Sequence, residues 1–377
     1  VYGADWQVRT KRGYHASAKA WIDPGKLVLP PVDKASADDL SAAKALLDDV
    51  LCDFPFADDS SKTHALAMLL TAVVRPALDS ATPLFLISAP TEGTGKSLLA
   101  RLISVICQGS EPSVLTQPNQ EDEWRKRLTA ILMASPALIV LDNINEKLDS
   151  ASLASVLTAR QWTDRVLGSS RIVKLQNDAI WCATANNPTT SAEMARRCVL
   201  IRMVPDQERP AERAGFKHPD LIDYALRYRS QLLWAACVLV ENWKAKGSKP
   251  GEKTLGSYQA WAASVGGIME AAGYQGWLGN AGELHAGTDQ GEWAVLVEEW
   301  ASAPQLRTGA QPADLLRIVE DLGILKDVVG ISSYQPAKAR KLSTALKQQR
   351  DRVYSGYRIR HDIDAHTKNA VYTLEAV

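Results

Sequence analysis

The stretch Leu86-Ile87-Ser88-Ala89-Pro90-Thr91-Glu92-Gly93-Thr94-Gly95-Lys96-Ser97 decides how the rest of the chain is read. The apolar run Pro83-Leu84-Phe85-Leu86-Ile87 has the pattern of a buried strand, the glycines mark a turn, and Leu98 to Cys107 suits a helix. Strand, glycine turn and helix in that order build a phosphate cradle. Backbone N–H groups of the loop and of the helix N-terminus face the anion, and the helix dipole adds favourable potential. Such a loop places Thr91, Glu92, Gly93, Thr94, Gly95, Lys96 and Ser97 around a nucleotide, here ATP. Lys96 reaches the β/γ-phosphates and the Ser97 hydroxyl ligates Mg²⁺. Pro90 stands where Gly-x4-Gly-Lys-Ser has its first glycine. Gly-Lys-Ser recurs by chance in many chains, so the loop needs partners.

A second strand must deliver a carboxylate to the metal. Ala137-Leu138-Ile139-Val140-Leu141-Asp142-Asn143 has the apolar run of a buried parallel strand and ends in Asp142, about 46 residues after Lys96, which is Walker B spacing. The run Ala179-Ile180-Trp181-Cys182-Ala183-Thr184-Ala185 ends in Asn186-Asn187-Pro188. An uncharged amide at that strand end can orient the attacking water as a sensor; the alternative is an ordinary Asn-Pro turn. Further on, Arg196-Arg197 opens the apolar run Cys198-Val199-Leu200-Ile201, where a guanidinium could serve as an arginine finger for a neighbouring subunit. Between the Asp142 and Asn186 strands, two β-prone runs flank Gly168-Ser169-Ser170-Arg171, a hairpin signature. If that hairpin faces a pore, Arg171 and Lys174 could grip a phosphate backbone.

The chain has 377 residues, with 43 basic and 43 acidic side chains, so net charge says nothing about partners. No apolar run reaches the length of a membrane span, and no membrane association is expected. The five cysteines show no metal-ligand spacing, which favours reduced thiols in a cytoplasmic protein over a disulfide scaffold or zinc site. The chain opens on Val1 rather than Met, as a fragment or trimmed product would, leaving room for an upstream domain. A weakly patterned lead-in precedes Pro31; a helix is expected over 33–51, and a second one capped by Ser61. Strand and helix patterns then alternate up to about Val204, which argues for an α/β fold with a parallel sheet. From Pro205 to Ser302 strand signals vanish and Trp234, Trp243, Trp261, Trp277, Trp293 and Trp300 punctuate helical patterns as core anchors. The expected domains are a lead-in and helical collar (1–60), an ATPase core (61–204), a helical subdomain (205–302) and a C-terminal domain (303–377).

The last domain reads as helices over Ala313–Leu322 and Pro336–Gln349, then β-like runs Val353–Ile359 and Ala370–Leu374. Between Pro336 and Arg360 its charge is strongly positive. A basic helix carrying Lys338, Arg340 and Lys341, followed by a ribbon with Tyr354, Tyr357 and Tyr372, suggests a winged helix that contacts DNA. Protein docking is the alternative use of such a module.

Several segments together resemble one family. They are Asp53-Phe54-Pro55-Phe56, Val74-Arg75-Pro76, Gly93-Thr94-Gly95-Lys96-Ser97, Glu121 to Leu128 and Leu141-Asp142-Asn143. Also included are Asp164-Arg165-Val166-Leu167-Gly168, Ala183-Thr184-Ala185-Asn186-Asn187, Ala195-Arg196-Arg197, Phe216-Lys217-His218-Pro219-Asp220-Leu221 and Val265-Gly266-Gly267-Ile268. The chain is similar to AAA+ replicative helicases of phages, plasmids and integrated mobile elements. These are often fused behind a primase and are related to superfamily-three and MCM-like helicases. The resemblance implies an AAA+ P-loop core in a homo-oligomeric, usually hexameric, ring that hydrolyses ATP with Mg²⁺ between subunits. It also implies movement along single-stranded or forked DNA by pore hairpins, and a fused or separate primase or polymerase partner. Carried over, Lys96 and Ser97 bind phosphate and Mg²⁺, Asp142 holds the metal, Asn186 (or Asn187) is the sensor and Arg197 (or Arg196) the finger. Asn143 departs from the pattern, because many of these ATPases place a water-polarising Glu there; Glu123 and Glu146 are the substitutes. The rival readings are an initiator or loader that binds DNA and ATP without unwinding, and a DNA-binding adaptor with a degenerate nucleotide site.

Overall fold

The computed structural model describes all residues except 33–34, 167, 169–170, 287–288, 331–332 and 364–369; for 285–286 and 289–290 it describes the backbone alone. Two compact units result, Val1–Leu284 and His285–Val377.

The lead-in is more ordered than its sequence pattern suggests. It forms an antiparallel ribbon of β1 (Gly13–His15) and β2 (Ala20–Ile22), preceded by a Tyr2–Val8 bridge. Helix α1 (Ala37–Val50) starts later than expected, at a Ser36 cap with a reciprocal Asp39 capping box. Helix α2 (Asp59–Val74) is capped by Asp58, whose carboxylate accepts from Ser61 N at 2.7 Å. Ser61 is therefore not the cap; it lies buried inside the first turn, and its hydroxyl accepts from Arg202 N at 3.0 Å.

After these come β3 (Leu84–Ala89), α3 (Lys96–Gln108), β4 (Ser113–Thr116), α4 (Glu121–Met133), β5 (Leu138–Ile144) and α5 (Ala151–Thr158). The hairpin β6 (Gln161–Arg165) and β7 (Ile172–Gln176) precedes β8 (Ile180–Asn186), α6 (Ala192–Ala195) and β9 (Cys198–Arg202). Five of these strands form one parallel sheet in the order β4-β5-β8-β3-β9. Its inner strands are buried on both faces, and the period-2 alternation sends neighbouring residues into different cores. Phe85, Ile87, Val140, Cys182 and Ile201 join the cluster beneath α1, α2 and α3; Leu86, Leu141, Ala183 and Leu200 join the one beneath α4 and α5. Helices therefore cover both sides, as parallel strands require. The hairpin β6–β7 is a separate two-stranded sheet.

The remainder of the first unit is helical: α7 (Leu221–Arg227), α8 (Arg229–Ala245), α9 (Gln259–Ala271) and α10 (Ala281–Ala286), which crosses into the second unit. Trp243, Trp261 and Trp277 are buried anchors here, whereas Trp234 is only half-buried. Gly266 and Gly267 in α9 permit two close approaches. A Cβ at Gly266 would lie 2.3 Å from Trp277 Nε1, and one at Gly267 would lie 2.3 Å from the Lys249 carbonyl.

The second unit has its own core, built on α11 (Asp289–Ser302), α12 (Pro304–Arg307), α13 (Pro312–Leu322), α14 (Lys326–Val329) and α15 (Gln335–Gln348). Trp293 and Trp300 of α11 belong to this core, so α11 packs with the C-terminal elements although its sequence continues the helical stretch before it. The expected run Val353–Ile359 is not one strand. Ser355 and Gly356 take positive φ (48° and 80°) and turn β10 (Val353–Tyr354) back into β11 (Tyr357–Ile363), which pairs with β12 (Ala370–Ala376). Tyr354 and Tyr372 fill the core and do not project from a ribbon face. The expected turn over 362–368 lies mostly outside the described residues.

Candidate nucleotide site

The sheet order puts the chemistry at one edge. β8 lies between β3 and β5, so Asn186 at its end is flanked by the glycine loop leaving β3 and by Asp142 on β5. Ala89 is level with Asn186, and Thr116 with Asp142.

In the loop, Gly93 (φ 72°) and Gly95 (φ 92°) occupy the left-handed region, where a side chain is costly. At Gly93 space demands glycine as well, since a Cβ there would lie 2.9 Å from that of Ala211; one on Gly95 would only touch the Phe54 ring at 3.4 Å. Pro90 precedes these turns and leaves both left-handed positions to glycine. Helix α3 starts at Lys96 with Gly95 as its cap, so the first-turn N–H groups have no intrahelical acceptor and point at the loop's concave side.

The predicted side chains are already tied to one another. Lys96 Nζ donates to Asn186 Oδ1 (2.7 Å), to the Thr91 carbonyl (2.9 Å) and to Thr94 Oγ1 (3.2 Å). Burial lowers its pKa, against the raising influence of Asp142 and Glu92. Ser97 Oγ donates to Asp142 Oδ1 at 2.8 Å. The same oxygen accepts from Thr184 Oγ1 at 2.6 Å, and that hydroxyl accepts from Asn143 N at 2.8 Å. The register of β5 against β8 shifts between Leu141 and Ile144, with Asn143 at φ 54°, so a local bulge aims Asp142 at Ser97. Thr184 was missed by the sequence reading, although a hydroxyl two residues before Asn186 in an otherwise apolar strand was a visible signal.

Of the two asparagines, Asn186 carries the amide bound to Lys96; Asn187 turns the chain at φ 41° and donates its N–H to the Ala89 carbonyl at 3.0 Å. The two arginines also separate. Arg197, only 12 % exposed, donates to the Ala154 and Glu193 carbonyls (3.1 and 2.7 Å) and pairs with the Glu193 carboxylate at 2.9 Å. It braces α5 and α6 within its own chain, which opposes a role as a finger. Arg196 is 63 % exposed and only loosely paired with Glu193 at 3.6 Å.

Two clefts adjoin this network. One, of about 330 Å³, runs from Gly93, Gly95 and Leu98 to Phe54, Phe216 and His218. Its far wall is fixed by Asp53, which accepts from Lys217 N at 2.8 Å, and by Asp49, which accepts from His218 Nε2 at 2.8 Å and from Tyr224 Oη at 3.1 Å. The other, of about 270 Å³, lies beside Asp142 and is lined by Thr116, Gln117, Asn119, Asn143, Asn145 and Glu146. Gln117 Oε1 is buried there without a hydrogen-bond partner among the described residues. Glu123 is outside this cleft and pairs with Lys126 at 2.6 Å.

Arg171 and Lys174 lie on the hairpin, both exposed, while Ser169 and Ser170 of its expected tip are outside the described residues. The hairpin is tethered through Asp164. Its carboxyl stays below the usual range although burial pushes it up, because Arg125 (2.5 Å), Thr129 Oγ1 (2.8 Å) and Arg165 N donate to it. In the second unit, Arg340 and Lys341 are exposed on α15, but Lys338 is half-buried and paired with Glu320 at 2.7 Å, so it is less available to an external anion.

No protein-family model matches the chain, and no curated protein matches it. Among solved structures, it is similar to the apo NrS-1 C-terminal region, with a TM-score of 0.44 and 12% identity over 94% of this chain and 80% of that one. A second structure of that region, spanning residues 305–718, has a TM-score of 0.42 and 14% identity over 92% and 77%. A structure of JCV helicase with a bound thiazolopyridine compound has a TM-score of 0.28 and 13% identity over 55% and 61% of the two chains. Likenesses this distant leave the fold to be judged from the sheet order and the site geometry.

Proposed function

We propose that the chain is an ATP-dependent DNA helicase or translocase that works as a ring, with each ATP site shared between subunits, in replication of a phage or mobile element. The observation that carries the nucleotide half of this reading is the paired network of Lys96–Asn186 and Ser97–Asp142–Thr184 at one sheet edge. The DNA half rests on the family resemblance of the motifs and on the exposed cations of the hairpin.

The residues suit both ligands. The first-turn N–H groups of α3 lie at the glycine cradle, and Ser97 Oγ with Asp142 Oδ1 would hold Mg²⁺ through hard oxygens. When bound, the metal supplies charge neutralisation on the phosphate oxygens. Lys96 exchanges its contact with Asn186 for phosphate, which frees the Asn186 amide to orient water. Glu146 takes the role of proton acceptor, because it lines the cleft beside Asp142 whereas Glu123 does not. Arg196, the exposed member of the arginine pair, reaches the neighbouring subunit's nucleotide. The second unit is a winged helix that contacts DNA through Arg340 and Lys341.

One observation favours the loader or initiator reading: Asn143 supplies no carboxylate, and its N–H is committed to Thr184. Unwinding of a forked DNA by the purified chain separates the two. Strand separation that needs ATP and disappears in Lys96→Ala and Arg196→Ala supports the helicase. DNA binding and assembly with ATP but no strand separation would exclude it.

A further inference from the structure

The N-terminal ribbon presents two large aromatic side chains to solvent. Tyr14 and Trp21 are direct cross-strand partners in β1 and β2, and are 63% and 67% exposed. Their strand neighbours Gly13, His15, Ala20 and Ile22 are half-buried, so alternation places both rings on one open face. Leaving a pair of such rings in water forgoes the stabilisation of burial.

The support behind the rings is firm. Tyr2 is fully buried; its N–H donates to the Val73 carbonyl at 3.1 Å and its hydroxyl to Glu241 at 2.9 Å. Trp6 packs on Trp243 with ring centroids 4.9 Å apart. Ala4 N and Arg9 Nε both bond Ser17 in the ribbon's turn region, at 2.7 and 3.1 Å. These contacts fasten the ribbon to α2 and α8. Along the ribbon segment 11–26 the charge is one-sided: Lys11, Arg12, Lys19 and Lys26 stand against a single acid, Asp23, which pairs with Arg12 at 3.3 Å. No ion pair engages Lys11, Lys19 or Lys26 among the described residues.

We propose that this ribbon is a stacking platform for single-stranded polynucleotide, with unpaired bases on Tyr14 and Trp21 and phosphates neutralised by Lys11, Lys19 and Lys26. Exposed π faces require bases that are not already stacked in a duplex, and interleaved cations match the phosphate that accompanies each base. An acidic protein segment would satisfy the cations but leave the ring pair without a purpose. The platform lies outside the nucleotide cleft and acts without ATP, so it stands or falls separately from the helicase reading.

The test is fluorescence anisotropy of the full chain, nucleotide-free, with labelled oligo(dT) and oligo(U) of about 20 nucleotides, a matching duplex, and polyglutamate as competitor. The double variant Tyr14→Ala/Trp21→Ala is expected to bind the single strands about tenfold or more weakly, with an unchanged melting midpoint, while Tyr14→Phe/Trp21→Phe retains binding. Lys11→Gln/Lys19→Gln/Lys26→Gln should lower the slope of log affinity against log salt by about two. Loss confined to the DNA or to the RNA strand supports the platform and names its ligand; equal loss supports one that accepts both. Single-strand affinity of the alanine double variant within about twofold of wild type overturns the proposal, as does an equal loss for duplex or for polyglutamate.

Discussion

The edge of the parallel sheet and the outlying cationic surfaces use charged residues in opposite ways. At the sheet edge, Lys96, Ser97, Asp142, Thr184 and Asn186 are bonded to one another before any ligand arrives. On the hairpin, α15 and the ribbon, Lys174, Arg340 and Lys19 stand exposed. The first arrangement is held by strands buried on both faces, so each group has one position. The second is held in solvent, where single charges contribute little and additively.

That contrast can be broken most sharply at Lys96. Lys96→Ala should lower ATP hydrolysis by about a hundredfold or more with little change in melting midpoint, because the side chain serves ligand rather than core. Steady-state hydrolysis measured beside a thermal melt checks this; comparable activity would place the nucleotide elsewhere.

A buried titrating group gives the next largest effect. His64 Nδ1 lies 2.7 Å from the Leu200 carbonyl and Nε2 accepts from Leu278 N at 3.0 Å, a pattern that needs the neutral ring. Burial pushes its pKa down to about 4 from the ordinary 6.5. Between those values the unfolded chain binds a proton that the folded chain refuses. Stability therefore falls as pH drops through 6.5, and the loss, on the order of 3 kcal/mol, is complete below about pH 4. Denaturant titrations of wild type and His64→Gln across pH 7 to 4 should show the wild type alone carrying this component.

Thr184→Val keeps the volume but removes the hydroxyl between Asp142 and Asn143 N, leaving that N–H unpaired. A stability cost of about 1–3 kcal/mol is expected from chemical unfolding, with weaker Mg²⁺-dependent nucleotide binding. The arginine pair sharpens the comparison further. Arg197→Ala should destabilise by about 1–2 kcal/mol, whereas Arg196→Ala should leave the melt unchanged and lower only hydrolysis in the assembled protein. The smallest effect belongs to Lys341→Gln, expected to weaken duplex DNA binding less than about threefold and to reduce the salt slope by about one.

Much of the fold was legible in the sequence because long apolar runs and glycine-marked turns report local geometry. The three strands within the apolar runs 83–87, 137–143 and 179–185, and the loss of strand pattern after Val204, follow from those runs, although two of the strands continue past the expected ends to Ala89 and Ile144. Boundaries set by side-chain competition were less legible. Ser61 and Asp58 are both good caps, and only the packing of α2 against Arg202 decides between them. The Ser355-Gly356 turn hides inside a β-prone run because its signal is two residues long.

The quoted motifs show where linear reading stops, since several prove to be each other's partners. Asp53 bonds the Lys217 and His218 N–H groups, Arg125 holds Asp164, and Arg75 donates to the Asn177 carbonyl at 2.8 Å. Residues 39 to 165 positions apart meet in these pairs, and nothing local announces the meeting. By itself the sequence determined the glycine loop between a strand and a helix, the acid-ended and amide-ended strands, and the alternation that makes a covered parallel sheet, because each depends on neighbours along the chain. Only the tertiary structure decided that β8 lies between β3 and β5, that Asn186 rather than Asn187 meets Lys96, and that Arg197 is spent within its own chain. Those outcomes depend on strand order and burial, which are properties of the packed molecule.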